Sequence, residues 1–467
     1  MGAVPVSSRR MGTVELPVWA FVLLLAFAAI SFATNFLFPS VRWFFRRRAE
    51  RLVARLNRRL ARPIQPFKLA RRHDMIERLS YDPEVVRAAL AHARATGVPE
   101  NVANETARRY AREIVPGFSA TLYFTVAMRL ARWLSRFLYR IRPSADDPRA
   151  LAGIPADATI VFVINHRSNM DYVLVAHLAS RATPISFAVG EWARVFPLLP
   201  LIKGLGGYFI RRNRTGNDLY RRVLARYVQM ATAGGVTQAV FPEGGLSLDG
   251  APQDPKLGIL SYIAAAEYEH PVVFVPVALN YDRVLEDRIL TSAARDGVGR
   301  FRASVWVAIG FTLRHAWRRM LGRTDRFGAA AVAFGAPVTL KNGADVGALG
   351  ADLMARIAGR VPVLPVPLLC LALREAGGAL PEDGIERAME ALADALERAG
   401  AVVLHPRAGP EAGARRAKAI LLGRRLARLE GGVLRPSASG EALIDYYANT
   451  VAHLLSTAPA AEPQQGR

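Results

Sequence analysis

The stretch FVINHRSNMDYVLV, from Phe162 to Val175, runs from apolar β-formers into a histidine, His166, with an aspartate, Asp171, five residues on. Buried strands of α/β sheets end in loops that carry chemistry. If Ser168 or Asn169 opens a helix, Asp171 falls in its first turn, and its carboxylate can curl back to the imidazole. A carboxylate on one ring nitrogen fixes the tautomer and leaves the other nitrogen as a general base. That is two members of a hydrolytic triad without a protein nucleophile. A substrate hydroxyl can fill the role, so the chemistry implied is transfer of a group to an alcohol. A capping aspartate beside a loop histidine is the plain alternative.

Three further stretches add to this pair. In LGGYFIRR, Leu205 to Arg212, glycines open a strand and Arg211 and Arg212 close it. Arginine suits bidentate binding of phosphate oxygens, although a solvated face is the simpler reading in an arginine-rich chain. In AVFPEGGLSLDG, Ala239 to Gly250, a β-run meets Pro242, Glu243, Gly244 and Gly245. Glycines let a backbone approach a ligand and offer it N–H groups. Glu243 suits a hydrogen bond to an acceptor hydroxyl, or is simply an exposed acid in a turn. In VVFVPVALNYDRV, Val272 to Val284, Pro276 sits inside an apolar strand. Proline there predicts an edge strand or a bulge. No Gly-x-Ser-x-Gly elbow surrounds Ser168 or Ser247, which speaks against a serine hydrolase. No third ligand lies near the His-x4-Asp pair, so no metal and no cofactor is expected.

The elements that must position these residues follow from the pattern around them. From Ala158, short apolar runs (ATIVFVI, ISFAV, GGYFI, VTQAVF, VVFVPVAL) alternate with helical stretches such as Leu219 to Thr232 and Leu257 to Tyr268. This predicts an α/β domain around a central sheet, with Ala329 to Leu340 as its last strand. Upstream, Asp82, Pro83 and Gly97 bound a helix within Ser80 to Gly97. Ala120 to Arg142 reads as an amphipathic helix. Leu122, Val126, Leu130, Trp133, Phe137 and Ile141 form its apolar stripe, and Arg129, Arg132, Arg136 and Arg140 share another face. It either packs on the fold or lies on an anionic membrane surface. Downstream the chain returns to helix, with GIERAMEALADALERAG the clearest case. The expected organisation is an anchor over 1–45, a helical region over 46–145, a catalytic domain over 146–345, a C-terminal helical domain over 346–456 and a disordered tail over 457–467.

Leu16 to Phe38 carries no charge, and arginines crowd its C-terminal flank. It is long enough for a transmembrane helix, which needs roughly 20 apolar residues. The arginines place the bulk of the chain on the cytoplasmic side. A cleaved signal peptide is the alternative, against which stand the length of the run and the arginine cluster. The 467 residues carry a net charge of +23, mostly as arginine. An acidic partner is implied: anionic lipid, phosphorylated substrate, acidic carrier protein or nucleic acid. The absence of zinc-finger spacing and of RNA-recognition motifs speaks against nucleic acid. The single cysteine, Cys370, excludes a disulfide within the chain and fits a reducing compartment.

The four blocks, in this order, resemble those of the membrane-bound glycerol-3-phosphate acyltransferase family, part of the glycerolipid acyltransferase superfamily with its His-x4-Asp motif. HRSNMDYVLV looks like the family's first block and LGGYFIRR like its second. LIDYYANTVAHLL, Leu443 to Leu455, looks like its C-terminal helix. The resemblance implies a central mixed sheet flanked by helices, helical N- and C-terminal regions and one N-terminal transmembrane helix. It implies a cytoplasmic-facing enzyme of the inner membrane that acts in phospholipid synthesis beside anionic lipid. His166, held by Asp171, would take the proton from the sn-1 hydroxyl of glycerol 3-phosphate. The oxygen would attack the thioester of acyl-CoA or acyl carrier protein, giving lysophosphatidate. Glu243 would join the catalytic pair. Arg167, Ser168, Gly207, Phe209, Arg211, Arg212, Gly244, Gly245 and Pro276 would line the substrates. Two features depart from the family. Leu246 and Leu248 stand where it carries arginines, and Asn169 where bacterial members often have histidine. They leave open another acceptor (lysophosphatidate, dihydroxyacetone phosphate or an amino-lipid) and an inactive lipid-binding scaffold.

Overall fold

The computed structural model describes residues 17–19, 21–25, 47, 50–51, 53–58, 60, 62–143, 151, 153–179, 184–190, 198–211, 218–297, 310 and 327–456. The chain divides into two units, Met1–Arg58 and Arg59–Arg467. In the first, the described residues between 18 and 25 are helical, apolar and exposed. No helix among the described residues is long and apolar enough to cross a membrane. Most of the span expected from Leu16 to Phe38 lies outside the described residues, as does the expected tail over 457–467.

The second unit opens with three helices, α1 (Arg72–Ser80), α2 (Pro83–Thr96) and α3 (Glu100–Ile114). The bounds of α2 follow from its caps. Asp82 Oδ1 accepts the Glu84 N–H at 3.0 Å, Pro83 takes the first position, and Gly97 closes the helix at φ 70°. A π-helical stretch, Leu122–Ala127, runs into α4 (Met128–Leu138). The helix expected to reach Arg142 stops at Leu138, because residues from Arg140 pair with the sheet as β1 (Arg140–Pro143). Its orientation also decides the amphipathic stripe. Tyr123, Ala131, Ser135 and Leu138 are buried, whereas Val126, Leu130 and Trp133 are each more than half exposed.

The alternating pattern then builds the sheet. In order come β2 (Thr159–Ile164), α5 (Met170–Ala179), β3 (Ser186–Val189), α6 (Leu198–Gly204), β4 (Tyr208–Phe209), α7 (Asp218–Ala233) and β5 (Gln238–Val240). α8 (Gly258–Ala264), β6 (Val272–Tyr281), α9 (Asp287–Arg295), β7 (Ala329–Phe334) and β8 (Val338–Thr339) follow. The strands lie in the order β1-β7-β6-β2-β5-β3-β4, with β8 also on β6. β2, β3, β4 and β5 run parallel to their neighbours and to β6, while β7 and β8 run antiparallel to β6, so the sheet is mixed. β2 and β6 are buried along their whole length, as near-continuous apolar runs covered on both faces should be. Each such Val, Ile or Phe is worth about 1.5–3 kcal/mol of burial.

Pro276 does not mark an edge. β6 is interior, paired with β2 on one side and with β7 and β8 on the other. The proline is tolerated because its second partner breaks there. β7 ends at Phe334 opposite Val277, and β8 begins at Val338 opposite Phe274. The Pro276 carbonyl accepts the Gly335 N–H at 2.8 Å on that side, so the absent N–H faces the interruption.

The C-terminal region comprises α10 (Val346–Ala358), α11 (Pro365–Glu375), β9 (Leu380–Pro381), α12 (Ile385–Arg398), α13 (Pro410–Gly423), β10 (Ala427–Glu430), β11 (Val433–Pro436) and α14 (Glu441–Ser456). α11 is buried along most of its length and packs on α12, α13 and α14. One hydrophobic core runs from Met75 through the sheet to Leu454.

Candidate active site

β2 ends at Ile164, and the next seven residues form the site. Asn165, buried, bonds the Leu279 backbone in both directions, its side-chain amide donating to the carbonyl at 3.0 Å and its oxygen accepting the N–H at 2.7 Å. This locks the end of β2 to β6. His166 and Asp171 come together as their spacing predicts. His166 Nδ1 lies 2.9 Å from Asp171 Oδ2, with both side chains buried. The same oxygen accepts the N–H groups of Arg167 at 2.7 Å and Ser168 at 3.0 Å, and Oδ1 accepts the Tyr281 hydroxyl at 2.6 Å. An ionised carboxylate only accepts, so the histidine proton sits on Nδ1. Nε2 has no protein partner among the described residues. The ring rests against Phe241, with centroids 4.3 Å apart, and Tyr172, at 5.5 Å.

The loop after β5 closes over this motif. The Ser247 N–H donates to the His166 carbonyl at 3.1 Å, and the His166 N–H reaches Glu243 Oε2 at 3.4 Å. Glu243 is buried, and its Oε1 has no partner among the described residues. Burial pushes its carboxyl up to about 7, with Arg167 and the His166 N–H pulling the other way. Gly244 takes φ 69°, and a Cβ there would lie 2.5 Å from Lys256 Cδ. Its N–H is already given to the Phe241 carbonyl at 3.0 Å, so of the two glycines only Gly245 keeps a backbone donor for a developing oxyanion.

The remaining sequence-predicted residues divide sharply. Arg167 and Ser168, expected at the substrate, point inward and are buried. Arg167 Nη1 binds the carbonyls of Gly250 at 2.5 Å and Ala251 at 3.2 Å, and Ser168 Oγ donates to Glu286 at 2.8 Å. Arg211 lies just past β4, three strands from β2 and so about 14 Å from it at ladder spacing. Its guanidinium pairs with Glu113 and sits over the rings of Tyr110 and Tyr220. Gly207 packs beside Ile202, and Phe209 is fully buried. Arg212 lies outside the described residues. Leu246 and Leu248 pack against the core.

Three residues were missed. Tyr281 stands in the quoted fourth stretch, but nothing in its spacing pairs it with Asp171. Glu286 lies two residues beyond that stretch. Lys256 follows the third block in DPKLG and has no motif of its own. Its N–H donates to the Pro242 carbonyl at 2.7 Å, which drapes the exposed side chain across Gly244. Its ammonium has no hydrogen bond or ion pair among the described residues.

Two family models match this chain. "Acyltransferase" covers residues 149–280, holding the histidine, the aspartate and the loop of Glu243. "Glycerol-3-phosphate acyltransferase C-terminal region" covers residues 317–460. Both models describe acyltransferases, and each covers less than half of the chain. The glycerol-3-phosphate acyltransferase of Shewanella amazonensis is 32% identical over 297 residues, 62% of this chain and 35% of that relative. That of Shewanella oneidensis is 32% identical over 299 residues, again 62% of this chain and 35% of the relative. The chain thus spans about a third of the length of the curated relatives it matches. Among solved structures, the 1-acyl-sn-glycerophosphate (LPA) acyltransferase PlsC from Thermotoga maritima is similar at 19% identity and a TM-score of 0.34, over 54% of this chain and 79% of that chain.

The buried acid of the site gives a pH test. Native Glu243 holds a proton up to about 7, whereas an unfolded glutamate releases it near its ordinary value of 4.5. Between those values the native state binds more protons, so the Glu243 contribution to stability falls as pH rises through that window. Relative to wild type, Glu243→Gln should therefore gain a few degrees in Tm between pH 5 and pH 7. Parallel pH profiles for the two proteins would contradict the raised carboxyl.

Proposed function

We propose that this protein is a glycerol-3-phosphate acyltransferase, moving a fatty acyl group from acyl-CoA or acyl carrier protein to the sn-1 hydroxyl and making lysophosphatidate. The observation that carries the reading is the buried Asp171 carboxylate on His166 Nδ1, which leaves Nε2 as a base with no partner among the described residues. Nε2 takes the acceptor's hydroxyl proton as the oxygen attacks the thioester carbonyl. When the tetrahedral intermediate collapses, the C–S bond breaks and the imidazolium returns the proton to the leaving thiolate. No acyl-enzyme forms. Glu243 Oε1 supplies an unfilled acceptor for a second substrate hydroxyl, and the Gly245 N–H is a donor for the oxyanion.

The acceptor's phosphate needs a cation. Arg211 is engaged by Glu113, and leucines replace the two family arginines at 246 and 248. Lys256, whose side chain lies over Gly244, is a cation with no hydrogen bond or ion pair among the described residues. The names of the Shewanella relatives support glycerol 3-phosphate as acceptor.

The setting is an anionic membrane surface facing the cytoplasm. The π-helical stretch and α4 turn Val126, Leu130 and Trp133 outward, with exposed Arg129, Arg132 and Arg136 around them. The buried face of α4 packs on α5, the helix that carries Asp171. Apolar anchors ringed by arginine fit the interface of anionic lipid. A net charge of +23 has the matching sign. The lipid product would form beside the bilayer that receives it.

Transfer of a labelled acyl group to glycerol 3-phosphate, by the full chain in anionic vesicles with both donors supplied, tests the reading. His166→Ala should lower turnover by about a thousandfold or more at unchanged Tm, and full activity in that variant would remove the base. In the same assay Lys256→Ala should raise the acceptor KM about tenfold and leave the donor KM within about twofold, whereas an equal effect on both would argue against phosphate binding. Changing Leu130 and Trp133 together to Glu should reduce activity on anionic vesicles and leave activity in detergent intact. Equal loss in both media would mean the helix serves folding and not the membrane.

A further inference from the structure

The catalytic turn is held from a second side. Glu286 follows β6 and precedes α9, between the segments that the two family models match. It is buried. Its carboxylate accepts three donors from the start of α5: the Ser168 hydroxyl at 2.8 Å, the Asn169 N–H at 3.3 Å and the Asn169 side-chain amide at 3.1 Å. Ser168 Oγ in turn accepts the Met170 N–H at 3.2 Å. This is the turn that presents Asp171. Bonds to a buried carboxylate are stronger than neutral ones and fix geometry.

The segment carrying Glu286 is itself tied to the C-terminal region. Asp287, next in sequence, accepts the Tyr447 hydroxyl and pairs with Arg424 at 2.6 Å. The Tyr447 oxygen accepts the Val284 N–H at 3.0 Å. Asp282 accepts the Val366 N–H at 3.0 Å. Asp282, Asp287 and Tyr447 are all buried. A second tie reaches the other loop of the site. Asn449 donates to the Asp249 carbonyl at 3.0 Å, beside Gly250, whose carbonyl Arg167 holds.

We propose that Glu286 is a positioning residue through which the C-terminal helices hold the first turn of α5, and with it the alignment of Asp171 on His166. The proposal rests on His166 as the base of the transfer reaction. Glu286 touches no reacting atom; Ser168 and Asn169 lie between it and the dyad. Without it these donors lose their acceptor, the turn relaxes, and the imidazole is no longer confined to one tautomer. Such a defect lowers kcat and spares substrate binding.

The test uses the full-length chain in detergent with Glu286→Ala and Glu286→Gln. Glu286→Ala should lower kcat about 30-fold, which is about 2 kcal/mol, and keep both KM values within about twofold. Glu286→Gln retains an oxygen for Ser168 Oγ and should recover most of the rate. If the alanine variant does not fold, Ser168→Ala removes the same bond from the other side and should show the same kcat loss. A second readout needs no substrate. In protein labelled with 15N-histidine, and assigned by His166→Gln, wild-type His166 should be a single tautomer protonated at Nδ1. Glu286→Ala should show mixed tautomers, and Tyr447→Phe a weaker change in the same direction. A folded Glu286→Ala protein with wild-type kcat and an unchanged His166 spectrum would overturn the proposal. So would a raised acceptor KM at wild-type kcat, which would make Glu286 a substrate contact. If wild type transfers nothing to glycerol 3-phosphate, the functional reading fails, and the tautomer measurement still decides the positioning role.

Discussion

The Asp171 carboxylate is the constraint from which the rest of the site follows. It is fully buried, and an ionised carboxylate in such a place is tolerable only with its acceptor sites filled. It draws two backbone N–H groups from its own loop, an imidazole N–H, and a hydroxyl from the end of β6. Those bonds dictate a tight turn between β2 and α5, a strand β6 placed beside β2, and one orientation for the histidine. The long apolar runs of β2 and β6 meet the second demand by pairing in parallel over Thr159 to Ile164.

Around this anchor the molecule accepts local costs. Glu243 and Glu286 are both buried acids pushed up to about 7 by desolvation. Arg167 leaves Nε and Nη2 buried without partners among the described residues, as Glu243 leaves Oε1. Unsatisfied buried polar atoms are rare in protein interiors and cluster where function needs them. The site also depends on absent side chains. Gly250 sits at φ 85°, and a Cβ there would lie 1.9 Å from the Tyr446 carbonyl oxygen. The loop of the site and the last helix therefore meet backbone to backbone.

That contact gives the C-terminal region a physical role. It packs through α11 against the core, and the Tyr447, Arg424 and Asn449 side chains and the Val366 N–H bond residues of two short segments, 282–287 and 249–251, that border the dyad. A sheet alone presents loops that are free to move. Helices bonded to those loops restrict that freedom.

The sequence by itself determined the elements and the dyad. Short apolar runs mark the strands, caps mark α2, and His166 and Asp171 are close because a single turn joins them. These are local facts, set by neighbours in the chain. Other assignments depended on who lies opposite. Pro276 read as the mark of an edge strand or a bulge, and the strand is interior, with the break between β7 and β8 beside the proline. Arg211 read as a phosphate ligand and is held by Glu113, from a helix almost a hundred residues upstream. The stripe of Val126, Leu130 and Trp133 could face either way until α5 was seen to take the opposite face of α4. Tyr281, Glu286 and Lys256 carry no motif, since their partners lie far off in sequence. Periodicity and caps act over a few residues and are written in the chain, whereas the pairing of buried charges is settled only when distant segments pack and water leaves.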